Sequence, residues 1–372
     1  MGSEHLMGFA GLRVTLVGPL PPPAGGMANQ TRQLAELLRS ARSEVTLVQT
    51  NVPFPKWVER VPVLRAMVRL MPYLLALWRA AARCDVFHVM ANSGWSWHLF
   101  AAPAIWIAHW RRVPVVLNYR GGEAAVFLRR AHRLVGWSMR RVAALVVPSG
   151  FLKEIFAQYG MTSTVVPNII DLSRFSPQTK TATGRAPHFM VARNLEPIYN
   201  NESAISAFAI VRERYPKARL TLAGTGPSKA ALQSLVARLG MDQAVHFAGR
   251  LDSDAMADLY RDADVSINPS LVDNMPNSVL ESLACGVPVV STRVGGVPYI
   301  VQDGVTALLV PPRDPNAMAQ ALMRLLDDPS LRARLAESGL TEVRRYEWSS
   351  VAPLLELVYR QVQQGHLSRG RT

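Results

Sequence analysis

Short apolar runs punctuate this chain, and the stretches between them carry helical spacing. Arg13–Gly18 (RVTLVG) reads as a first strand, apolar and β-branched. A loop rich in Pro and Gly follows, and then TRQLAELLRSA places Leu34, Leu37 and Leu38 on one helical face. Glu44–Gln49 closes this opening as a second strand, and Asp85–Val89, Val113–Asn118 and Ala144–Pro148 read as further strands with helical segments between them. The alternation resumes with HFMVA, a helix over Ser203–Tyr215, strand RLTLAG, the turn Gly224-Thr-Gly-Pro and a helix over Lys229–Leu239. AVHFAG, a helix over Asp254–Arg261, a strand over Asp264–Asn268 and strand VPVVST complete the series; the end is helical over Val351–Gln364. Strands alternating with helices predict parallel, doubly wound sheets. The Pro-, Thr- and Gly-rich stretch Phe175–Pro187 reads as the link between two domains, about 1–180 and 184–345.

Composition narrows the class. At 372 residues, 49% of them hydrophobic, the chain is long enough for two cores and too apolar for disorder. Its two cysteines, Cys84 and Cys285, make no disulfide framework or metal cluster and suit a reducing cytoplasm. The polar opening MGSEHLMG shows no secretory signal, so a cytoplasmic location is expected. The longest apolar stretch, Leu99–Ala108, is far short of the roughly 20 residues that span a bilayer and reads as a core helix or strand.

The net charge of +14 is lopsided. Residues 1–180 hold 21 Lys and Arg against 8 Asp and Glu, a net +13, whereas residues 181–372 are nearly balanced. An anionic partner for the first half follows. Lys56–Arg83 and Arg129–Arg141 interleave cations with Leu, Met, Trp and Tyr, which suits a helix lying on anionic lipid, or else a solvated basic face over a core helix. Nucleic acid is the poorer partner, because no stacking platform or binding module is evident.

Candidate chemistry concentrates in Pro269–Gly296. Asp273 and Glu281 lie eight positions apart, on a loop that leads into a short helix through Leu280 and Leu283. Pro276 suits the first helical turn and Gly286 its end. The amides of Asn277 and Ser278 then offer an anion or hydroxyl site, and a carboxylate such as Glu281 accepts two hydrogen bonds from a ribose diol. Taken alone, the pair reads rather as a loop residue and a solvated helix position.

The flanking residues carry more. VDNMPNSVLESLACGVPVVSTRVGG resembles the E-x7-E block of the retaining GT-B glycosyltransferases of family 4. Val166–Phe175 (VPNIIDLSRF), LAGTGP, HFAGRLDSDAMADLYRDADVSINPS and Asp303–Pro311 (DGVTALLVP) match further motifs of that family in order. The resemblance covers nearly the whole chain. It implies two Rossmann-like domains facing across a cleft, with acceptor on the first and nucleotide-sugar on the second, and a last helix, about 350–365, returning to the first domain. It further implies a UDP- or GDP-linked sugar as co-substrate, no other cofactor, and a saccharide or lipid-linked acceptor. Transfer would retain anomeric configuration by same-face attack, with the leaving diphosphate helping to deprotonate the acceptor. The family setting suggests bacterial surface polysaccharide or glycolipid synthesis at the inner membrane face.

Residue by residue, the resemblance implies that Glu281 holds the ribose, Asp273 and the loop of Asn274, Met275, Pro276, Asn277 and Ser278 hold the donor sugar, and Arg193 faces the diphosphate. Gly25-Gly26 matches the turn that approaches a phosphate, while Gly224, Lys229 and Arg250 fall in donor-side motifs. The chain also departs from the pattern. Ile198 or Tyr199 stands where members carry a Lys, a loss Lys229 could offset; Asp273 replaces Glu; Tyr299 replaces the Glu after G-G-x-P. Arg120 replaces a His, either to pair with Glu123 or to bind a phosphate. His88 and His98 with Asn92 and Trp95 read as an acceptor-side wall or as scattered loop residues. Asp252-Ser-Asp254 and Asp262-Ala-Asp264 read as a helix cap and a strand lead-in rather than a metal site. The departures keep a second class open, a non-catalytic partner subunit; a GT-B nucleotide-sugar epimerase is a further alternative.

Overall fold

The computed structural model describes residues 7–22, 25–52, 62–178 and 185–369. It divides into two compact units, 1–169 with 348–372, and 170–347. The division therefore falls between Ile169 and Ile170, ahead of the Phe175–Pro187 stretch read as the link; residues 179–184 lie outside the described residues.

The first unit runs β1 (Arg13–Gly18), α1 (Gly26–Ser40), β2 (Glu44–Gln49), α2 (Pro62–Ala81), β3 (Val86–Ala91), α3 (Ala102–Trp110), β4 (Val115–Tyr119), α4 (Ala124–Met139), β5 (Ala144–Val147), α5 (Gly150–Ala157) and β6 (Thr164–Val165). Its strands are parallel in the order β2-β1-β3-β4-β5-β6, so strand order reverses between β1 and β3. Strands of this kind are buried on both faces, which is why they read as unbroken apolar runs. One face packs Leu77, Ile105, Leu128 and Phe156 from the helices α2 to α5. The apolar run Leu99–Ala108 enters this core through a single π turn, Trp97–Ala101, and α3. No helix among the described residues is long and apolar enough to cross a membrane.

The other face is covered by α1 and by the last helix, α12 (Trp348–Arg369). α12 buries Val351, Leu355, Val358 and Val362, which recur at helical spacing. At about 1.5–3 kcal/mol per buried side chain, these four contribute roughly 6–12 kcal/mol before the entropy of ordering is subtracted.

The second unit runs β7 (His188–Ala192), α6 (Asn201–Arg214), β8 (Arg219–Ala223), α7 (Lys229–Arg238), β9 (Val245–Gly249), α8 (Ser253–Asp262), β10 (Val265–Asn268), α9 (Asn277–Ala284), β11 (Val289–Thr292), β12 (Leu308–Val310), α10 (Pro315–Asp327) and α11 (Pro329–Glu342). Its six strands are also parallel, in the order β12-β11-β10-β7-β8-β9, and strand order reverses between β7 and β10. In open α/β sheets ligands bind beyond the carboxyl ends of the strands at such a reversal.

Candidate functional site

β7 ends at Ala192, which makes Arg193 the first residue beyond the sheet at the reversal point. Its Nε donates to Asn268 Oδ1, on the last residue of β10, at 2.8 Å, and its Nη2 donates to Asp273 Oδ2. Asn268 is fixed in turn: its Nδ2 donates to Ser291 Oγ at 2.9 Å and its Oδ1 accepts from Ser270 Oγ at 2.8 Å. The second Asp273 oxygen accepts the Asn274 amide at 3.0 Å, and the Asp273 carbonyl accepts the Gly296 amide at 2.9 Å. Both side chains of the Arg193–Asp273 pair are only 11% exposed. Burial pushes the Asp273 carboxyl up, and Arg193 is the largest opposing influence.

The position where the family carries Lys is now visible. Ile198 and Tyr199 lie in the 3-10 turn Pro197–Tyr199; the Ile198 carbonyl accepts the Leu271 amide at 2.9 Å, and the Arg193 guanidinium lies 5.2 Å from the Tyr199 ring centroid. A ring face thus stands beside Arg193 in place of a second cation.

Glu281 lies on α9. The Tyr260 hydroxyl is 3.0 Å from Glu281 Oε2 and 3.1 Å from the Ser278 carbonyl, which share its one proton. Burial pushes the Glu281 carboxyl from 4.5 up to about 7, against the pull of Tyr260 and Arg193. Arg193, Asp273 and Glu281 therefore act within one electrostatic neighbourhood. The expected donor loop is reshaped in detail. Pro276 is the N-cap and α9 begins at Asn277, so Pro276 is one position earlier than its expected place in the first turn. Met275 packs its side chain into the core beside Tyr260 and Val279, leaving its backbone as the part that can meet a ligand. Ser278 Oγ is buried with no hydrogen-bond partner among the described residues.

The Gly224-Thr-Gly turn seats Arg193. A Cβ on Gly224 would lie 2.0 Å from the Arg193 carbonyl oxygen and one on Gly226 would lie 2.3 Å from that of Leu195, so only glycine lets these backbones approach. Lys229, the first residue of α7, and Arg250, just beyond β9, are exposed, and among the described residues neither has an ion-pair partner. The D-x-D residues are engaged structurally. Asp252 caps α8 by accepting the Ala255 amide at 2.9 Å, and Arg174 is 3.0 Å from Asp254. Asp262 takes Arg185 and Arg219, and Asp264 takes Arg185.

In the first unit, Gly25 N-caps α1 in an extended conformation, and Cβ atoms on Gly25 or Gly26 would meet nothing within 4 Å. Neither backbone angle nor packing calls for glycine there. His88 does not join the expected acceptor-side wall. It sits mid-strand in β3, fully buried, with Nδ1 2.8 Å from the Tyr359 hydroxyl and Nε2 3.1 Å from Asn118 Nδ2. Burial, reinforced by Arg120, pushes its pKa down to about 3, so it is neutral. Asn92 lies beyond the strand end, exposed, its Oδ1 accepting the Ser93 amide at 2.8 Å. Trp95 is 78% exposed and meets the His98 ring edge-on, centroids 6.3 Å apart. Arg120 bonds Asn118 Oδ1 at 3.2 Å and Asn168 Oδ1; the ion pairs among the described residues include none with Glu123, which is exposed at the start of α4.

Sequence reading missed Asn268, Tyr260, Asn118, Asn168 and Tyr359. Asn268, Tyr260 and Asn168 lie inside motifs quoted above and Asn118 at the end of an expected strand, but nothing in their spacing shows which side chain they meet.

Two parallel six-stranded sheets, each with a strand-order reversal, give the chain a GT-B architecture. A family model described as Glycosyltransferase Family 4 matches residues 24–174, and one described as Glycosyl transferases group 1 matches residues 186–328. The chain belongs to this family. Among its relatives, glycogen synthase of Mycobacterium tuberculosis (strain H37Rv) is 27% identical over 399 residues, covering 95% of this chain and 96% of that protein. The D-inositol 3-phosphate glycosyltransferase of Streptomyces avermitilis is 31% identical over 235 residues, covering 58% of this chain and 50% of that protein. Anabaena HepE, solved in complex with UDP-glucose, shares the fold with a TM-score of 0.74 at 17% identity, covering 95% of this chain and 99% of that one.

Proposed function

We propose that this protein transfers a hexosyl group from a UDP- or GDP-linked sugar to a hydroxyl of a saccharide or lipid-linked acceptor, with retention and without a metal. The observation that carries the reading is the convergence of Arg193, Asp273 and Glu281 at the carboxyl ends of β7 and β10. Glu281 accepts the ribose hydroxyls, Arg193 stabilises negative charge that builds on the leaving diphosphate, and Asp273 with the following loop amides orients the sugar. The bond from anomeric carbon to diphosphate breaks, the acceptor oxygen bonds on the same face, and its proton passes to the departing diphosphate oxygen. The UDP-glucose complex of HepE supports such a donor. Hydrolysis and transfer assays with a panel of UDP- and GDP-sugars test the reading, with Glu281→Ala as control and proton NMR to read the product anomer. Activity that survives EDTA and yields the retained anomer is expected; absence of both nucleotide binding and turnover overturns the proposal.

One observation favours a second reading. Asp273 already neutralises Arg193, and Tyr199 supplies no second cation. A partner subunit that binds nucleotide without turning it over fits that charge balance, and nucleotide binding without hydrolysis of any sugar in the panel is its signature.

We also propose that the first unit docks on anionic lipid. Met71, Leu75, Trp78, Trp110, Leu134 and Trp137 are exposed, and Arg111 and Arg141 lie over the rings of Trp78 and Trp137, each 4.9 Å from the centroid. Between residues 62 and 153 the only acidic residues are Asp85, paired with Arg13, and Glu123. Lys56, Trp57 and Arg60 of the basic stretch lie outside the described residues, as do the side-chain surroundings of Arg65. The charge complementarity suits a peripheral position at the inner membrane face.

A further inference from the structure

A half-buried cation at the end of a central strand normally has a carboxylate beside it, because an unpaired charge out of water is costly. Arg120 has none. It is the first residue past β4, burial pushes its pKa down to about 10, and the ion pairs among the described residues do not include it. Its Nε and Nη1 are spent on the neutral oxygens of Asn118 and Asn168, and among the described residues no acceptor is assigned to its Nη2. The backbone beside it is closely packed. Gly121 is buried, and a Cβ there would lie 2.6 Å from both Asn92 Oδ1 and Ser93 Oγ.

Arg120 is also held from behind by a run of buried polar groups. Because a guanidinium only donates, Asn118 must present its oxygen to Arg120 and its Nδ2 to His88. His88 Nε2 is then an acceptor, so the proton of the neutral ring sits on Nδ1 and is donated to the Tyr359 hydroxyl. The polarity of the whole chain is thus set by Arg120. It runs from Tyr359 on α12, through β3 and β4, to the strand end, and joins residues 271 positions apart in sequence.

From this geometry we infer that Arg120 binds an oxyanion of a substrate, a phosphate, through its unspent guanidinium edge, and that Asn118, His88 and Tyr359 are positioning residues that fix its direction. The inference rests on the transferase reading only for which substrate carries the phosphate. That group belongs either to the donor diphosphate or to a phosphorylated acceptor.

The test is calorimetric titration of the full chain with inorganic phosphate and, separately, with UDP. Wild type is compared with Arg120→Gln, Arg120→Lys and Tyr359→Phe, each first checked for a native thermal transition. Arg120→Gln is expected to lose phosphate binding, and Arg120→Lys to recover only part of it, because an ammonium lacks the fork that Asn118 and Asn168 hold. Tyr359→Phe keeps its ring in place and is expected to weaken phosphate binding several-fold. Should UDP affinity fall along with phosphate affinity in Arg120→Gln, the site serves the donor diphosphate; UDP affinity at the wild-type level assigns it to a phosphorylated acceptor. Equal phosphate binding by wild type and Arg120→Gln overturns the oxyanion site. Loss in Arg120→Gln with wild-type affinity in Tyr359→Phe overturns the positioning chain. Failure of UDP to bind the wild type, with phosphate binding still dependent on Arg120, counts against the nucleotide-sugar reading and leaves the oxyanion site standing.

Discussion

Arg193 and Asp273 form a buried ion pair across the carboxyl ends of β7 and β10, with the Tyr199 ring beside the guanidinium. On the proposed reading, a diphosphate at Arg193 would meet a cation whose charge is already balanced, and would compete with Asp273 or share the guanidinium with it.

Asp273→Asn should expose that competition. Removing the negative charge frees Arg193, and calorimetry should show tighter UDP binding than wild type. The same change should destabilise the second unit by about 1–3 kcal/mol, since a charged hydrogen bond is lost in a buried setting. Unchanged UDP affinity would place the diphosphate away from Arg193.

The Glu281 carboxyl offers a pH signature. Its pKa is raised from 4.5 to about 7 on folding, so the folded chain holds this proton more tightly than the unfolded one. The stability it contributes is complete below about pH 4.5 and is lost as pH rises through 7. Glu281→Gln removes that dependence. Urea denaturation should therefore show the variant gaining on wild type between pH 5 and 8, and a constant difference over that range would contradict the assignment. UDP affinity of the wild type should rise from pH 6 to 8 as Glu281 becomes a full acceptor.

The glycines separate into two kinds. Gly224→Ala and Gly226→Ala force a Cβ against carbonyl oxygens of the Arg193–Leu195 backbone, and each should lower the thermal midpoint and weaken UDP binding together. Gly25→Ala and Gly26→Ala meet open space, so thermal stability should hold or rise slightly. A loss of turnover in the latter pair at full stability would mark the start of α1 as a place where ligand meets backbone.

For the lipid reading, co-sedimentation with phosphatidylglycerol vesicles at low salt is the measurement. Wild type should pellet with anionic vesicles and not with neutral ones, and 0.5 M salt should release much of it, because surface charges are screened over a few ångströms at such ionic strength. A Trp110→Ala, Trp137→Ala double variant should bind more weakly. Indifference of the wild type to anionic vesicles would end this reading.

The alternation of apolar strands and amphipathic helices was enough to place ten of the strands and the two-sheet class. Two edge strands escaped: β6 has two residues and β12 three, too short to show a period. The ends of others moved by a residue or two, as with β3, which starts at Val86 and runs on to Ala91. In the second unit, Asp273, Glu281 and Arg193 stood out because motifs resembling those of the family surround them. Their partners did not: Asn268 and Tyr260 read as strand and helix residues until the fold brings them beside Arg193 and Glu281. His88 was misplaced for a related reason. A polar residue near the end of an apolar run suggests a loop, whereas here Asn118 and Tyr359 satisfy both ring nitrogens inside the core.

The return of α12 to the first unit has a consequence for how the chain is made. The first unit's sheet is synthesised early, but the face holding Val14, Leu16 and Val116 is covered in part by α12, which follows residues 170–347 in the chain. Domains usually form in the order they leave the ribosome. Here residues 170–347 all leave the ribosome before α12 does, so the second unit has its whole chain available while one face of the first unit's sheet still lacks that helix.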